Sequence, residues 1–273
     1  MGICDGRVVV ITGAGRGIGR EHALEFASQG AKLVINDLGA EVDGSGSSDG
    51  PAGQVVDEVR AMGGEAVANG DDVSDYEGAG RLIQTAIDTF GTIDVLVNNA
   101  GTSTARPLDE LTDEDWRLQW ELNVLGPMRL MRAAAPTMAE RGWGRIVNVC
   151  SSSGKRPGQR NVAYSVAKAG QLSLSRAFAD AYAKRGVLVN AITPGPVTTE
   201  LWTDPGGLAD QVAAARGTTR EEVLESTAAG VPLGRFGSPQ EIANVIAFLC
   251  SDAVSNVAGA AWSVDGGLVA VII

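Results

Sequence analysis

The feature that most constrains the fold is a repeated alternation. Short apolar runs, many of them β-branched, are each followed by a stretch long enough for a helix. Val8-Val9-Val10-Ile11 reads as a strand and residues 17–29 as a helix. Leu33-Val34-Ile35 is a second strand, residues 53–62 a helix, and Glu65 to Asn69 a third strand. Asp75 to Phe90 reads as a helix, Val95-Leu96-Val97 as a fourth strand, and residues 112–140 as a long helical region interrupted near Pro127. Ile146-Val147-Asn148-Val149 is a fifth strand. Residues 162–184 are a helix with Leu174, Ala177, Phe178 and Ala181 on one face at helical spacing. Val187 to Ile192 is a sixth strand, residues 239–250 a last helix, and Ala261 to Val264 a seventh strand. Strands that are apolar throughout belong to parallel sheets covered on both faces. The alternation therefore predicts a doubly wound α/β fold: a seven-stranded parallel sheet with helices on both faces.

The 273 residues suit one such domain, 1–273, with neither a repeat nor a linker. Two stretches are irregular. Residues 38–53 are rich in Gly and Ser, and residues 195–238 hold Pro and Gly clusters around a short helix at 219–228 and read as a lid.

The first strand runs into Thr12-Gly13-Ala14-Gly15-Arg16-Gly17-Ile18-Gly19, which opens the first helix. Glycines here let backbone approach a pyrophosphate, and a helix N-terminus favours its charge. Gly13, Arg16, Gly17, Ile18 and Gly19 are thus candidates for cofactor contact, and the sheet is of the Rossmann type. The second strand ends at Asn36-Asp37, where an acid can accept hydrogen bonds from the adenosine ribose and would repel a 2′-phosphate. No Lys or Arg lies between Lys32 and Arg60, while Asp37, Glu41, Asp43 and Asp49 are acidic. The expected cofactor is NAD rather than NADP, with Arg16 as the counter-signal.

Tyr164 and Lys168 stand at i, i+4 on one helix face. A nearby ammonium lowers a phenol's pKa and makes tyrosine a workable proton-transfer group.

With these residues in place the chain resembles the short-chain dehydrogenase/reductase family over essentially its whole length. The resemblance rests on the glycine turn, Asn98-Asn99-Ala100-Gly101 after the fourth strand, Asn123 in the long helix, Ser151 thirteen residues before Tyr164, Lys168, and Pro194-Gly195 after the sixth strand. It implies that Tyr164 is the general acid/base and that Ser151 hydrogen-bonds the substrate oxygen. Lys168 would lower the Tyr164 pKa and hold the nicotinamide ribose, and Asn123 would hold a water linking Lys168 to solvent. Asp72 and Val73 match the family's adenine contact. Asn99, Ala100 and Gly101 border the cofactor, Asn99 being either a sheet-stabilising or a cofactor-contacting residue. Pro194, Gly195, Val197 and Thr199 match the loop around the carboxamide. Leu201, Trp202, Leu208 and Val212 in the lid suggest an apolar substrate portion, or ordinary lid packing.

The implied activity is NAD(H)-dependent interconversion of a secondary alcohol and a ketone on a small molecule: a hydroxyacyl thioester, a cyclic alcohol or a steroid. A non-catalytic NAD(H)-binding sensor or scaffold is the alternative, though it need not keep Ser151, Tyr164 and Lys168 together. Nucleotide-sugar epimerases usually have a longer C-terminal part. The Asn-Asp-Leu-Gly stretch at 36–39 is similar to that of the dehydrogenase part of peroxisomal multifunctional β-oxidation enzymes. Certain actinobacterial members carry an insertion here and keep NAD bound through turnover. A tolerated surface insertion is equally open, so this stretch does not choose the substrate.

The resemblance also implies a homotetramer, and the apolar tail from Leu268 to Ile273 fits burial at such an interface. The formal charge of −11 argues against nucleic acid. No apolar run approaches a membrane span and the first residues do not read as a signal peptide, so a cytoplasmic protein is expected. Cys4, Cys150 and Cys250 are far apart and His22 is the only histidine, so no metal site is expected.

Overall fold

The computed structural model describes residues 2–39, 50–103 and 105–270. Its centre is a seven-stranded sheet of Val8–Thr12 (β1), Lys32–Asn36 (β2), Glu65–Asn69 (β3), Val95–Asn98 (β4), Gly144–Val149 (β5), Val187–Pro194 (β6) and Ala261–Val264 (β7). All pairings are parallel, in the order β3-β2-β1-β4-β5-β6-β7.

Gly17–Ser28 (α1), Gly50–Ala61 (α2), Tyr76–Phe90 (α3), Asp113–Trp120 (α4), Gly126–Glu140 (α5), Val162–Tyr182 (α6), Glu200–Thr203 (α7), Leu208–Arg216 (α8), Arg220–Ala229 (α9) and Pro239–Leu249 (α10) complete the chain. Successive side chains of a strand point to opposite faces. Val9 and Ile11 of β1 therefore join one core with Ala23 and Phe26 of α1 and Ile242 and Ile246 of α10. Val8 and Val10 join the other with Leu82 and Ile83 of α3 and Leu130 and Met131 of α5. Both faces need apolar residues, so the strand has no polar alternation; each buried Val or Ile stabilises by about 1.5–3 kcal/mol. The edge strands β3 and β7 are the exceptions, alternating exposed and covered positions.

Several boundaries differ from the sequence expectation. α2 starts at Gly50 rather than 53, with Pro51 in its first turn, where a missing N–H is harmless. The long helical region breaks just before Pro127: Glu121–Leu125 form a π-helical turn between α4 and α5. Within 195–238, α7 and α8 precede the expected short helix; α8 is stopped by Gly217 at φ 65°. On α6 the expected apolar face is displaced. Ala177 and Ala181 are exposed and Leu174 and Phe178 half-buried, while the buried positions include Ala163, Ala167, Lys168, Gln171, Ser175 and Ala179. Glu41, Asp43 and Asp49 of the irregular stretch, and Val271, Ile272 and Ile273 of the tail, lie outside the described residues. Among the described residues no helix is long and apolar enough to cross a membrane.

From β1 the chain winds outward through β2 to β3, and from β4 it winds the other way to β7. The carboxyl ends of β1 and β4 thus flank a crevice, the place where open α/β sheets bind ligands.

Candidate functional site

A cavity of about 580 Å³ opens at that crevice. Gly13, Arg16, Gly17, Ile18 and Gly19 form one wall, between β1 and the start of α1. The turn is drawn tight: a Cβ on Gly19 would overlap the Gly13 carbonyl oxygen, and one on Gly13 would stand 2.8 Å from Ala100 Cα. The Arg16 side chain makes no capping bond to the first turn of α1, and no acid stands in that turn. Its N–H groups and positive dipole end therefore suit an anion. Asn99 also lines the cavity, and its Nδ2 donates to the carbonyls of Thr12 and Gly13 at 2.9 Å each. That amide nitrogen is committed to holding the glycine turn. The Thr12 hydroxyl accepts from the backbone N–H groups of Asn99 and Ala100, at 3.0 Å each.

Asp37 stands at the end of β2, in the same wall. One carboxylate oxygen accepts the Gly15 N–H and the other the Gly39 N–H, both at 2.8 Å. The acid is thus fixed beside the glycine turn. Asp72 and Val73, after β3, line the same end; Asp72 is oriented by the backbone N–H and hydroxyl of Ser74, at 2.8 and 2.7 Å.

At the other end of the cavity are Ala100, Gly101, Ser151, Tyr164, Lys168, Pro194, Gly195, Val197 and Thr199. Asn123 is not in the lining. It sits behind Gly101: a Cβ on Gly101 would lie 3.0 Å from Asn123 Oδ1 and 3.6 Å from Lys168 Nζ. Only glycine leaves that space open. The π-helical turn aims Asn123 inward, and its Nδ2 donates to the Gln119 backbone and side-chain oxygens at 3.0 Å each. Its Oδ1 is buried without a partner among the described residues. Extra residues of this kind in helices recur at functional sites.

Ser151 accepts the Ser153 N–H at 3.1 Å and hydrogen-bonds the Tyr164 phenol. Burial pushes the Tyr164 phenol up to about 12, and only the hydrogen bond from Ser151 draws it down. Lys168 Nζ stands 5.6 Å from the Tyr164 ring centroid and donates to Val149 O at 2.8 Å and Gln171 Oε1 at 2.9 Å. Burial in turn pushes the Lys168 ammonium down to about 8.

Leu201, Trp202 and Leu208 line the cavity, whereas Val212 packs into a separate small cluster of Ala209, Ala213 and Val223. Trp202 is held edge-on by Phe236 at 5.3 Å. Leu118 and Leu122, beside Asn123, also reach the cavity and were missed; their i, i+4 spacing beside a predicted functional residue was the available signal. Leu268 lines the cavity and Val269 is buried within the protomer.

The cavity has the parts a nicotinamide dinucleotide requires: an uncapped helix start behind a glycine turn, an acid at one end, and an orphaned buried acceptor beside a lysine at the other. Known proteins agree. A family model described as enoyl-(acyl carrier protein) reductase matches residues 13–269. The 3-oxoacyl-[acyl-carrier-protein] reductase of Synechocystis sp. is 36% identical over 266 residues, covering 96% of this chain and 97% of that one. The L-sorbose reductase of Gluconobacter frateurii, solved with NADPH and L-sorbose, superposes with a TM-score of 0.88 at 33% identity, covering 100% of this chain and 99% of that one. A 7α-hydroxysteroid dehydrogenase, solved with NADH and 7-oxo glycochenodeoxycholic acid, superposes with a TM-score of 0.83 at 34% identity, covering 97% and 94%. The glycine turn at the switch point, the serine–tyrosine–lysine end of the cavity and these full-length matches have one common explanation: the chain belongs to the short-chain dehydrogenase/reductase family, NAD(P)-dependent oxidoreductases acting on CH–OH groups.

Proposed function

We propose that this protein interconverts a secondary alcohol and a ketone with NAD(H), using Tyr164 as the general acid/base. The observation that carries the reading is that Ser151, Tyr164 and Lys168 share one cavity with the glycine turn. The dinucleotide would lie from Asp37, Asp72 and Val73 past Gly13, Arg16, Gly17, Ile18 and Gly19 to Pro194, Gly195, Val197 and Thr199, and it supplies or accepts the hydride.

In the oxidative direction the substrate hydroxyl gives its proton to the Tyr164 oxygen as the hydride leaves. Ser151 holds the same substrate oxygen and stabilises charge as it develops. A phenol pushed up by burial is a poor base until a positive charge stands near it. Lys168 supplies that charge by turning its remaining N–H toward the cavity. Asn123 Oδ1, facing the space over Gly101, is the acceptor for a water that would return the proton to solvent. Asp37 favours NAD, because a 2′-phosphate would meet its fixed carboxylate.

The chain acts as one Rossmann-type unit with residues 195–238 as the lid, whose Leu201, Trp202 and Leu208 receive an apolar part of the substrate. The free, buried thiols of Cys4, Cys150 and Cys250 suit a reducing compartment, the cytoplasm. A homotetramer would cover Leu118 and Trp120 of α4 and Val166 of α6, which stand exposed on two packed helices. Light scattering tests this, and a single-chain mass overturns it.

The reaction is tested by absorbance of the reduced nicotinamide, with NAD or NADP and a panel of hydroxyacyl thioesters, cyclic alcohols, steroids and sugars. Turnover that Tyr164→Phe lowers by about 10²–10⁴-fold, with cofactor affinity retained, is the expected result. Turnover that survives the substitution removes Tyr164 from the mechanism.

A further inference from the structure

The inner face of α6 is polar where a helix packed on a sheet ordinarily carries apolar side chains. Lys168, Gln171 and Ser175 follow one another on that face and are 2%, 0% and 2% exposed. Burying an amide is unfavourable unless it is hydrogen-bonded. Gln171 makes one such bond: its Oε1 accepts from Lys168 Nζ at 2.9 Å, and its Nε2 has no partner among the described residues. Among the described residues Lys168 is the side chain that Gln171 serves.

An ammonium has three N–H groups. Val149 O and Gln171 Oε1 take two of them. One is left on the side where Lys168 lines the cavity. Neither acceptor is charged, and among the described residues no carboxylate bears on Lys168. Cys150, at the end of β5, is the titratable group that bears on Lys168, and burial keeps its thiol neutral, pushed up to about 12. Tyr164 stands on the same helix. Glu121 of the π-helical turn is paired with Arg129 of α5 at 2.9 Å. Arg132 of α5 lies over Tyr76, and on α4 Asp113 and Glu114 pair with Arg117 at the surface. Lys155 is tied to Ala261 O and Ser263 Oγ, and β6 carries no titratable side chain. Among the described residues the ammonium is thus held by neutral oxygen dipoles.

We propose that Gln171 is a positioning residue that acts through Lys168: its carbonyl oxygen keeps the buried lysine in the ammonium form, fixes its remaining N–H toward the cavity, and thereby sets the pH at which Tyr164 gives up its proton. This rests on the acid/base reading of Tyr164 above. Burial already draws Lys168 down toward neutrality, so one acceptor decides whether it is charged at working pH. Losing that acceptor disfavours the ammonium, and a neutral lysine leaves the phenol protonated to higher pH.

The test is Gln171→Met, which keeps the length of the side chain and removes the oxygen. The chain has four lysines, Lys32, Lys155, Lys168 and Lys184, so a ¹³C-lysine-labelled sample shows few enough resonances to follow Lys168 by NMR titration. Its midpoint is expected to fall by roughly one pH unit, the size of a lost hydrogen bond to a charged group. The acid limb of kcat/KM for alcohol oxidation should move up by a similar amount, giving about a tenfold loss below the limb that is recovered at high pH. An unmoved Lys168 midpoint overturns the proposal. So does a pH profile that is scaled without displacement, or displaced downward. Should Gln171→Met not fold, Gln171→Glu must raise the midpoint instead, and an unmoved one has the same consequence. A wild-type protein inactive on every alcohol would remove the acid/base reading of Tyr164, while the lysine titration would still decide whether Gln171 holds the ammonium.

Discussion

His22 provides a sharp test of how this fold responds to acid. It sits on the inner face of α1 with Ala23 and Phe26, fully buried, and neither ring nitrogen has a partner among the described residues. Burial alone draws its pKa from 6.5 down to about 3, with no charged group bearing on it. Above pH 6.5 the ring is neutral in both folded and unfolded chains and the shift has no effect. Below 6.5 the unfolded chain takes up a proton that the folded chain refuses, so stability falls as pH falls. Each pH unit below that point removes about 1.4 kcal/mol, so by pH 4.5 the loss is about 3 kcal/mol. In a chain of this size that is roughly 6–12 °C in Tm. His22→Leu nearly preserves volume and breaks no hydrogen bond. It should melt at or above the wild-type temperature at pH 7.5, and the gap should widen by those degrees at pH 4.5. Carboxylate titrations are common to both proteins and cancel in the difference. Melting curves followed by circular dichroism, in matched buffers, read it directly. A gap that is constant from pH 7.5 to 4.5 would falsify the argument, because it would mean that folded His22 takes its proton as readily as the unfolded chain.

Two further substitutions probe the cofactor end. Asp37→Asn keeps an oxygen for the Gly15 N–H and removes the charge, so the ratio of kcat/KM for NAD over NADP should drop by roughly tenfold; an unchanged ratio would show that Asp37 does not face the 2′ position. Gly19→Ala puts a methyl against the Gly13 carbonyl oxygen and 2.6 Å from Asn99 Nδ2, and should cost about 3 kcal/mol or prevent folding, together with nicotinamide binding. Gly80→Ala, on an exposed turn of α3 with nothing within 4 Å of the new methyl, should instead stabilise by about 1 kcal/mol. Equal effects of the two alanines on Tm would refute this reading of the turn.

The sheet was legible in the sequence because its cause is local. Runs such as Val8 to Ile11 must feed cores on both faces, and that requirement is written in consecutive residues. The glycine turn was legible for the same reason, since close approach at Gly13 and Gly19 admits no Cβ. Asn123 was found only through resemblance: a π-helical turn aims it, and the extra residue is not encoded in any spacing that apolar periodicity can count. α7 and α8 escaped because α7 has four residues and α8 lies among glycines that read as loop.

The misreading of α6 has the most informative cause. Periodicity assumes that the buried stripe of a helix is its apolar stripe, and it selected Leu174, Ala177, Phe178 and Ala181. α6 instead turns Lys168, Gln171 and Ser175 inward, and the Lys168 end of that face borders the cavity. Polar residues are thus drawn into the interior beside Ala163, Ala167 and Ala179, while Leu174 and Phe178 pack at the edge of the core and Ala177 and Ala181 stand exposed. An i, i+4 spacing puts two side chains on one face but does not say which acceptors hold them. Val149 and Gln171 come from outside that pair and take two of the ammonium's three hydrogens. On the acid/base reading of Tyr164 proposed above, a substitution at Gln171 thus reaches the phenol through Lys168 without touching it.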